Sequence, residues 1–201
     1  MDLTHPIEAL IPGARGQILG AMLRAGGELS TAEIGRLSSI SGPQTSRVLV
    51  QLVELGIVER REVPPAVLYR PVDGNVVVKL LRELRDVRDV VLTHAASTAI
   101  EIAPPPVLLS VYGSVATGLP GPGSDIDVLA VRPDGADNDD RWVESLDHWR
   151  LGLERFAGLR VSVLEVDETE WRSLDRLGNS LWSEIDRDQV VLMRTTKVGA
   201  S

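Results

Sequence analysis

Three consecutive prolines, Pro104-Pro105-Pro106, most constrain how this chain can fold. Each ring fixes φ and removes a backbone N–H, so neither a helix nor a paired strand can run through the triplet. The pattern of the sequence changes there. Before the prolines, apolar residues recur every three or four positions. From Val107 onward, apolar runs of strand length alternate with helical ones. A chain of 201 residues with 43% apolar content can supply packed cores for one large domain or two small ones.

The first third reads as three short helices, ARGQILGAMLRAGG, STAEIGRLSSIS and GPQTSRVLVQLVELG. Ile18, Met22 and Leu23 share one face of the first, and Gly26 and Gly27 suit its end. Ser30 or Thr31 can cap the second, with Glu33 in its first turn, where the helix dipole favours an anion. Pro43 suits the first turn of the third, whose Val48, Leu49, Leu52, Val53 and Leu55 form a core stripe. Two strands, Ile57 to Val63 and Ala66 to Pro71, follow around Pro64-Pro65.

Helix, helix, helix, hairpin is the order of a winged helix-turn-helix. The segment STAEIGRLSSISGPQTSRVLVQLVELGIVERR resembles the small winged-helix bacterial repressors, over roughly residues 13–72. That resemblance implies double-stranded DNA as partner, with the third helix in a major groove. Gln44, Thr45 and Arg47 are then the candidates to read bases, and Ser41 and Ser46 to meet phosphates. In the wing, Arg60, Arg61 and Arg70 are placed for the backbone or minor groove. A protein–protein module or a scaffold stays open beside this reading. The first 70 residues balance seven arginines against seven acids, so the formal charge of −8 belongs to the rest of the chain. So few cations imply weak binding by a monomer, and a homodimer on a palindromic site is expected.

Residues 73–103, including NVVVKLLRELRDVRDVVLTHAASTAIEI, carry mixed charges among helically spaced apolar residues. They read as one long connecting helix ending at the prolines.

The second half reads strand, loop, strand, helix, strand: VLLSVYG, SDIDVLAV, DDRWVESLDHWRLGLERF, LRVSVLEV. Two further helices, around Glu168 to Leu177 and Ser180 to Asp186, precede a last strand, VVLMR. Within it, VYGSVATGLPGPGSDIDVLAV sets two aspartates one residue apart. On a strand, Asp125 and Asp127 project to the same face, a cradle suited to a divalent cation. Glycine at 113 would let backbone approach phosphate closely, and helix N–H groups after it would attract an anion.

Gly113-Ser114, the glycine-rich loop and Ser124-Asp125-Ile126-Asp127 together resemble the signature of the DNA polymerase β nucleotidyltransferase superfamily, over about Leu108 to Met193. The minimal bacterial nucleotidyltransferases are the most similar members. The resemblance implies Mg2+ held by Asp125 and Asp127, and a nucleoside triphosphate held at Gly113, Ser114 and Ser124. Magnesium would neutralise charge during phosphoryl transfer.

Two departures bear on turnover. The superfamily's third carboxylate belongs on the strand LRVSVLEV, where Ser162 stands at the expected position, and a hydroxyl is a poor magnesium ligand. Glu165, three residues on, falls on the opposite face. Thr117 stands where minimal nucleotidyltransferases often have arginine. The expectation is therefore a DNA-binding transcriptional regulator whose second domain binds magnesium-nucleotide. The alternative is an active enzyme transferring a nucleoside monophosphate to a small hydroxyl acceptor or a protein. Some similar minimal nucleotidyltransferases modify a small all-helical partner, a toxin.

The remaining composition mainly excludes. There is no cysteine, hence no disulfide, thiolate metal site or thiol nucleophile. His5, His94 and His148 lack metal-ligand spacing. Trp142 and Trp149, seven apart on one helical face, suit core packing better than base stacking. No long uncharged apolar stretch exists, so the expectation is a cytoplasmic protein without membrane contact. The expected fold class is α+β, with a winged helix-turn-helix at 1–72, the connecting helix at 73–103, and a mixed-sheet α/β nucleotidyltransferase domain at 104–201.

Overall fold

The computed structural model describes residues 2–118, 124–136, 139–177 and 180–195. The chain forms two compact units, residues 5–87 and the chain from Arg88 onward together with its first residues through Thr4.

In the residue 5–87 unit, α1 (Pro6–Leu10) and α2 (Ala14–Ala25) precede a two-residue strand β1 (Leu29–Ser30). Then come α3 (Thr31–Ser38), α4 (Gly42–Glu54), a hairpin of β2 (Val58–Val63) and β3 (Ala66–Pro71), and α5 (Val76–Arg85). The strands order β1-β3-β2, all antiparallel. Ser30 is the cap of α3: its hydroxyl accepts from the Glu33 N–H while the Glu33 carboxylate accepts from the Ser30 N–H at 2.7 Å. This reciprocal box satisfies two donors that a helix start otherwise leaves open.

Ile18, Met22 and Leu23 are buried, as their spacing predicts, against Ile34, Leu49 and Leu52. Leu55 departs from the predicted stripe. It is 58% exposed: its N–H still donates to the Gln51 carbonyl, so it continues the helix on the face of the exposed Gln51 rather than that of Leu52. Two elements escaped the sequence reading, α1 and the short β1, both below the length at which periodicity can be read.

The expected connecting helix runs as α5 and α6 (Val87–Thr98), followed by a 3-10 turn at Ala99–Glu101, with Asp86 between the two helices at φ −91°, ψ 9°. Arg85 clamps the Asp86 carboxylate through Nε at 2.7 Å and Nη2 at 2.8 Å, and donates through Nη1 to the Leu23 carbonyl. This ties the last residue of α5 to the carbonyl of Leu23 in α2.

The second unit contains β4 (Leu108–Tyr112), α7 (Gly113–Thr117), β5 (Ile126–Arg132) and α8 (Asp140–Ala157). It continues with β6 (Val161–Asp167), α9 (Glu168–Leu177), α10 (Ser180–Asp188) and β7 (Val190–Arg194). Strand order is β6-β5-β4-β7. β5 and β6 are parallel, as a helical crossover requires, and β4 pairs antiparallel with β5 and β7. The sheet is therefore mixed, as expected from the order of elements.

Alternation along β5 divides its side chains between two faces. Leu129 and Val131 pack with Val166, Ile185, Trp171 and Trp182, so α9 and α10 cover that face. Trp142 and Trp149 of α8 are buried core residues, each with its indole N–H satisfied: Trp142 donates to Glu165, and Trp149 to the Ala95 carbonyl. Among the described residues no helix is long and apolar enough to cross a membrane.

Candidate functional site

The register of β4, β5 and β6 assembles the candidate nucleotide site. Asp127, the second residue of β5, lies opposite Tyr112 at the end of β4 and beside Ser162 near the start of β6. Directly paired residues share a face, so Tyr112, Asp127 and Ser162 form one row across the sheet. Asp125 precedes β5 and accepts a hydrogen bond from the Ser162 hydroxyl at 3.4 Å, the outer edge of that range. The two aspartates and Ser124 are half-buried, and Ser162 is exposed.

Gly113 closes the row from the other side. It opens α7 with φ +71°, a conformation L side chains rarely adopt. A Cβ at this position would stand 2.7 Å from Oδ2 of Asp127. The glycine is thus needed twice, for its backbone angle and for the space its missing side chain leaves to the carboxylate. Ser114 follows on α7, half-buried.

Burial raises the Asp127 carboxyl above its ordinary value, and the negative charge of Asp125 raises it further. The Tyr112 phenol is raised likewise, first by burial and then by Asp127. The edge therefore gathers negative charge that nothing in the row compensates. Its donors are all hard oxygens, two carboxylates and the hydroxyls of Ser114, Ser124 and Ser162, which is the chemistry magnesium prefers. Among the described residues no three His, Asp or Glu side chains come together as a metal-holding group. This set fits one magnesium arriving with phosphate oxygens and water, rather than a two-metal centre held by three carboxylates.

Ser162 occupies the position the sequence suggested, in register with Asp127. Glu165 is turned away from the aspartates: it accepts from Arg132 at 2.7 Å and from Trp142 at 3.1 Å. Thr117 donates its hydroxyl to the Gly113 carbonyl at 3.1 Å, so it serves its own helix. Tyr112 was missed by the sequence reading. Its signal was available, because it is the last strand residue before Gly113 and antiparallel pairing would set it across from the Asp-x-Asp.

On the helix-turn-helix, Ser41, Gln44, Ser46 and Arg47 are exposed along the first turns of α4. Thr45 is a correction. It is fully buried, and its hydroxyl donates to the Ser41 carbonyl at 3.0 Å. Packing of α4 against α3 turns this position inward, so Thr45 holds the turn together and cannot meet a base. The wing arginines are exposed but paired: Arg60 with Glu62 at 2.7 Å, Arg61 with Glu28 at 3.1 Å, and Arg70 with Glu59.

Residues 11–66 match the family model described as MarR family, and residues 98–183 match the model described as nucleotidyltransferase domain. The chain is thus similar to the MarR family over its first third and to nucleotidyltransferase domains over much of its second half. Among solved structures, NadR in complex with 4-hydroxyphenylacetate is 17% identical, covers 45% of this chain and 68% of its own, and has a TM-score of 0.36. Wild-type apo MarR from E. coli is 19% identical over 42% of this chain and 70% of its own, with a TM-score of 0.31. A Sulfolobus solfataricus protein provisionally assigned as a nucleotidyltransferase is 24% identical over 56% of this chain and 87% of its own, with a TM-score of 0.32. No curated protein matches the chain.

Proposed function

We propose that this chain is a DNA-binding transcriptional regulator whose nucleotidyltransferase domain binds a magnesium-nucleoside triphosphate. The observation that carries the nucleotide reading is Gly113 held at φ +71° against the Asp127 carboxylate, with Asp125 beside it. Asp125 and Asp127 would hold the metal, whose charge would neutralise the phosphates. Ser114 and Ser124 would donate hydroxyls to phosphate oxygens, and Gly113 would leave the approach open. Ser162 in register with Asp127, where transfer would call for a third carboxylate, supports binding without turnover.

For DNA, Gln44 and Arg47 on the exposed side of α4 are the base-reading candidates, and Ser41 and Ser46 sit where phosphates would pass. Arg60, Arg61 and Arg70 would meet the DNA backbone only by exchanging their glutamate partners. With so little uncompensated positive charge per chain, the working form is a homodimer on a palindromic site, in the cytoplasm.

Two measurements test this. Thermal unfolding of the wild type and of Asp125→Asn/Asp127→Asn is followed with each nucleoside triphosphate, with and without magnesium. Stabilisation of the wild type alone, and only with magnesium, is expected, and no shift under any condition removes the nucleotide reading. Fluorescence anisotropy on DNA from its own promoter tests the other half: Arg47→Ala should bind at least about tenfold more weakly, and unchanged affinity removes α4 as the reading helix.

A further inference from the structure

The helix that presents Gly113 and Ser114 is only five residues long, too short to hold itself together in water. Four of its five carbonyls are nevertheless accounted for. The Thr117 hydroxyl donates to the Gly113 carbonyl and the Gly118 N–H to that of Ser114. The next two carbonyls are met by one side chain from far back in the chain. Arg88, at the start of α6, donates through Nε to the Val115 carbonyl at 2.6 Å and through Nη2 to the Ala116 carbonyl at 2.6 Å. Its Nη1 reaches Asp89 at 3.1 Å.

Two parallel donors from one planar guanidinium fix direction as well as distance, which an ammonium on a flexible stem does less well. The positive charge also lies at the C-terminal end of α7, where a helix dipole favours it. With Val115 and Ala116 buried beside β4 and β5, this fork clamps the one end of α7 that the glycine leaves free to pivot.

We propose that Arg88 is a positioning residue for the triphosphate site: it holds α7, and so Gly113 and Ser114, in the arrangement that admits a magnesium-bound polyphosphate. The inference rests on the magnesium-nucleotide reading above. Without the fork, α7 rocks about Gly113, and the site is competent only for the fraction of time α7 is seated. Apparent affinity falls by that fraction.

The test uses the full chain as wild type, Arg88→Lys and Arg88→Met. Calorimetry measures binding of magnesium tripolyphosphate, which reports the phosphate cradle whatever the base, and of the four magnesium-nucleoside triphosphates. Amide hydrogen exchange is followed at Val115 to Gly118. The expected result is binding weakened on the order of tenfold in Arg88→Met with a smaller loss in Arg88→Lys, and exchange at these amides faster on the order of tenfold in Arg88→Met. Wild-type affinity in Arg88→Met overturns the proposal, as does lost affinity with unchanged exchange, which would make the effect one of charge alone. Should Arg88→Met not fold, Arg88→Lys carries the same comparison. If the wild type binds none of the probes, the nucleotide reading fails separately. Exchange then decides alone: faster exchange in Arg88→Met sustains the clamp on α7, and unchanged exchange refutes it.

Discussion

Replacing Gly113 and Gly118 by alanine, separately, isolates what the first of these glycines does for the site. Both have positive φ, +71° and +69°. An alanine in that region costs about 1–2 kcal/mol. At Gly118 nothing lies within 4 Å of the added Cβ, so the backbone cost is the whole cost. At Gly113 the Cβ meets Oδ2 of Asp127 at 2.7 Å, while the Asp127 Cγ and Cβ stay at 3.6 and 3.7 Å. Only the tip of a rotatable side chain is struck, so relief is cheap: the carboxylate withdraws by several tenths of an ångström. The two variants should therefore lose similar stability. A magnesium ion held by Asp125 and Asp127, with its demand for near-ideal octahedral geometry, would not tolerate that displacement.

All four tryptophans lie in the unit that holds the site, so fluorescence-monitored urea unfolding reports on that unit. Midpoints should fall by on the order of 1 M in both variants. A nucleotide at about 100 times its dissociation constant adds roughly 2.7 kcal/mol to the wild type. Gly118→Ala should keep that gain and Gly113→Ala should lose most of it. Full retention by Gly113→Ala, or equal loss in both, would refute the claim that the missing side chain at 113 makes room for the carboxylate.

Four further outcomes follow from particular contacts. Thr45→Val should destabilise the 5–87 unit by about 1 kcal/mol, through the lost bond to the Ser41 carbonyl. Calorimetric unfolding measures it, and a variant that weakens DNA binding with no stability loss would put Thr45 back at the interface. Asp127→Asn, without magnesium, should be at least as stable as the wild type at neutral pH, since it removes a charge that burial and Asp125 both disfavour; a lower melting temperature contradicts that account. Ser30→Ala should lower the urea midpoint of the first unit by removing the α3 cap. The Glu33 carboxyl is held below its ordinary value by the Ser30 N–H and hydroxyl. Its stabilisation is therefore present above the unfolded value and lost as pH falls through the folded one. The gap between wild type and Ser30→Ala should narrow in acid by the share the hydroxyl gives the carboxylate, leaving the pH-independent bond from the Glu33 N–H, and a gap that stays constant would show the hydroxyl–carboxylate bond inactive.

Much of this was legible in the sequence, for reasons that differ by element. The predicted start of β3, the ends of β2 and α4 to within a few residues, and the cap of α3 came from local chemistry: prolines, a glycine, a serine three before a glutamate. Ser162 was singled out through the resemblance, and the parallel register sets it beside Asp127. The rotation of α4 was legible but overridden by the assignment of base-reading positions: Thr45 stands four before Leu49 and seven before Leu52, on the buried stripe, whereas Gln44 does not. The break at Asp86 carries no glycine or proline to announce it. Arg88 reaches carbonyls 27 and 28 positions away, a relation no periodicity encodes.

The pairing of the wing arginines has a bearing on how occupancy of DNA would respond to the ionic medium. A phosphate that recruits Arg60, Arg61 or Arg70 must take it from a glutamate, leaving an anion exposed near the duplex. Each such contact gathers a cation to that glutamate while releasing one from the DNA, so the net ion count per arginine shrinks. The affinity would then fall less steeply with added salt than a tally of arginines suggests. Neutralising Glu28, Glu59 or Glu62 would tighten binding to any sequence while blurring the preference for one.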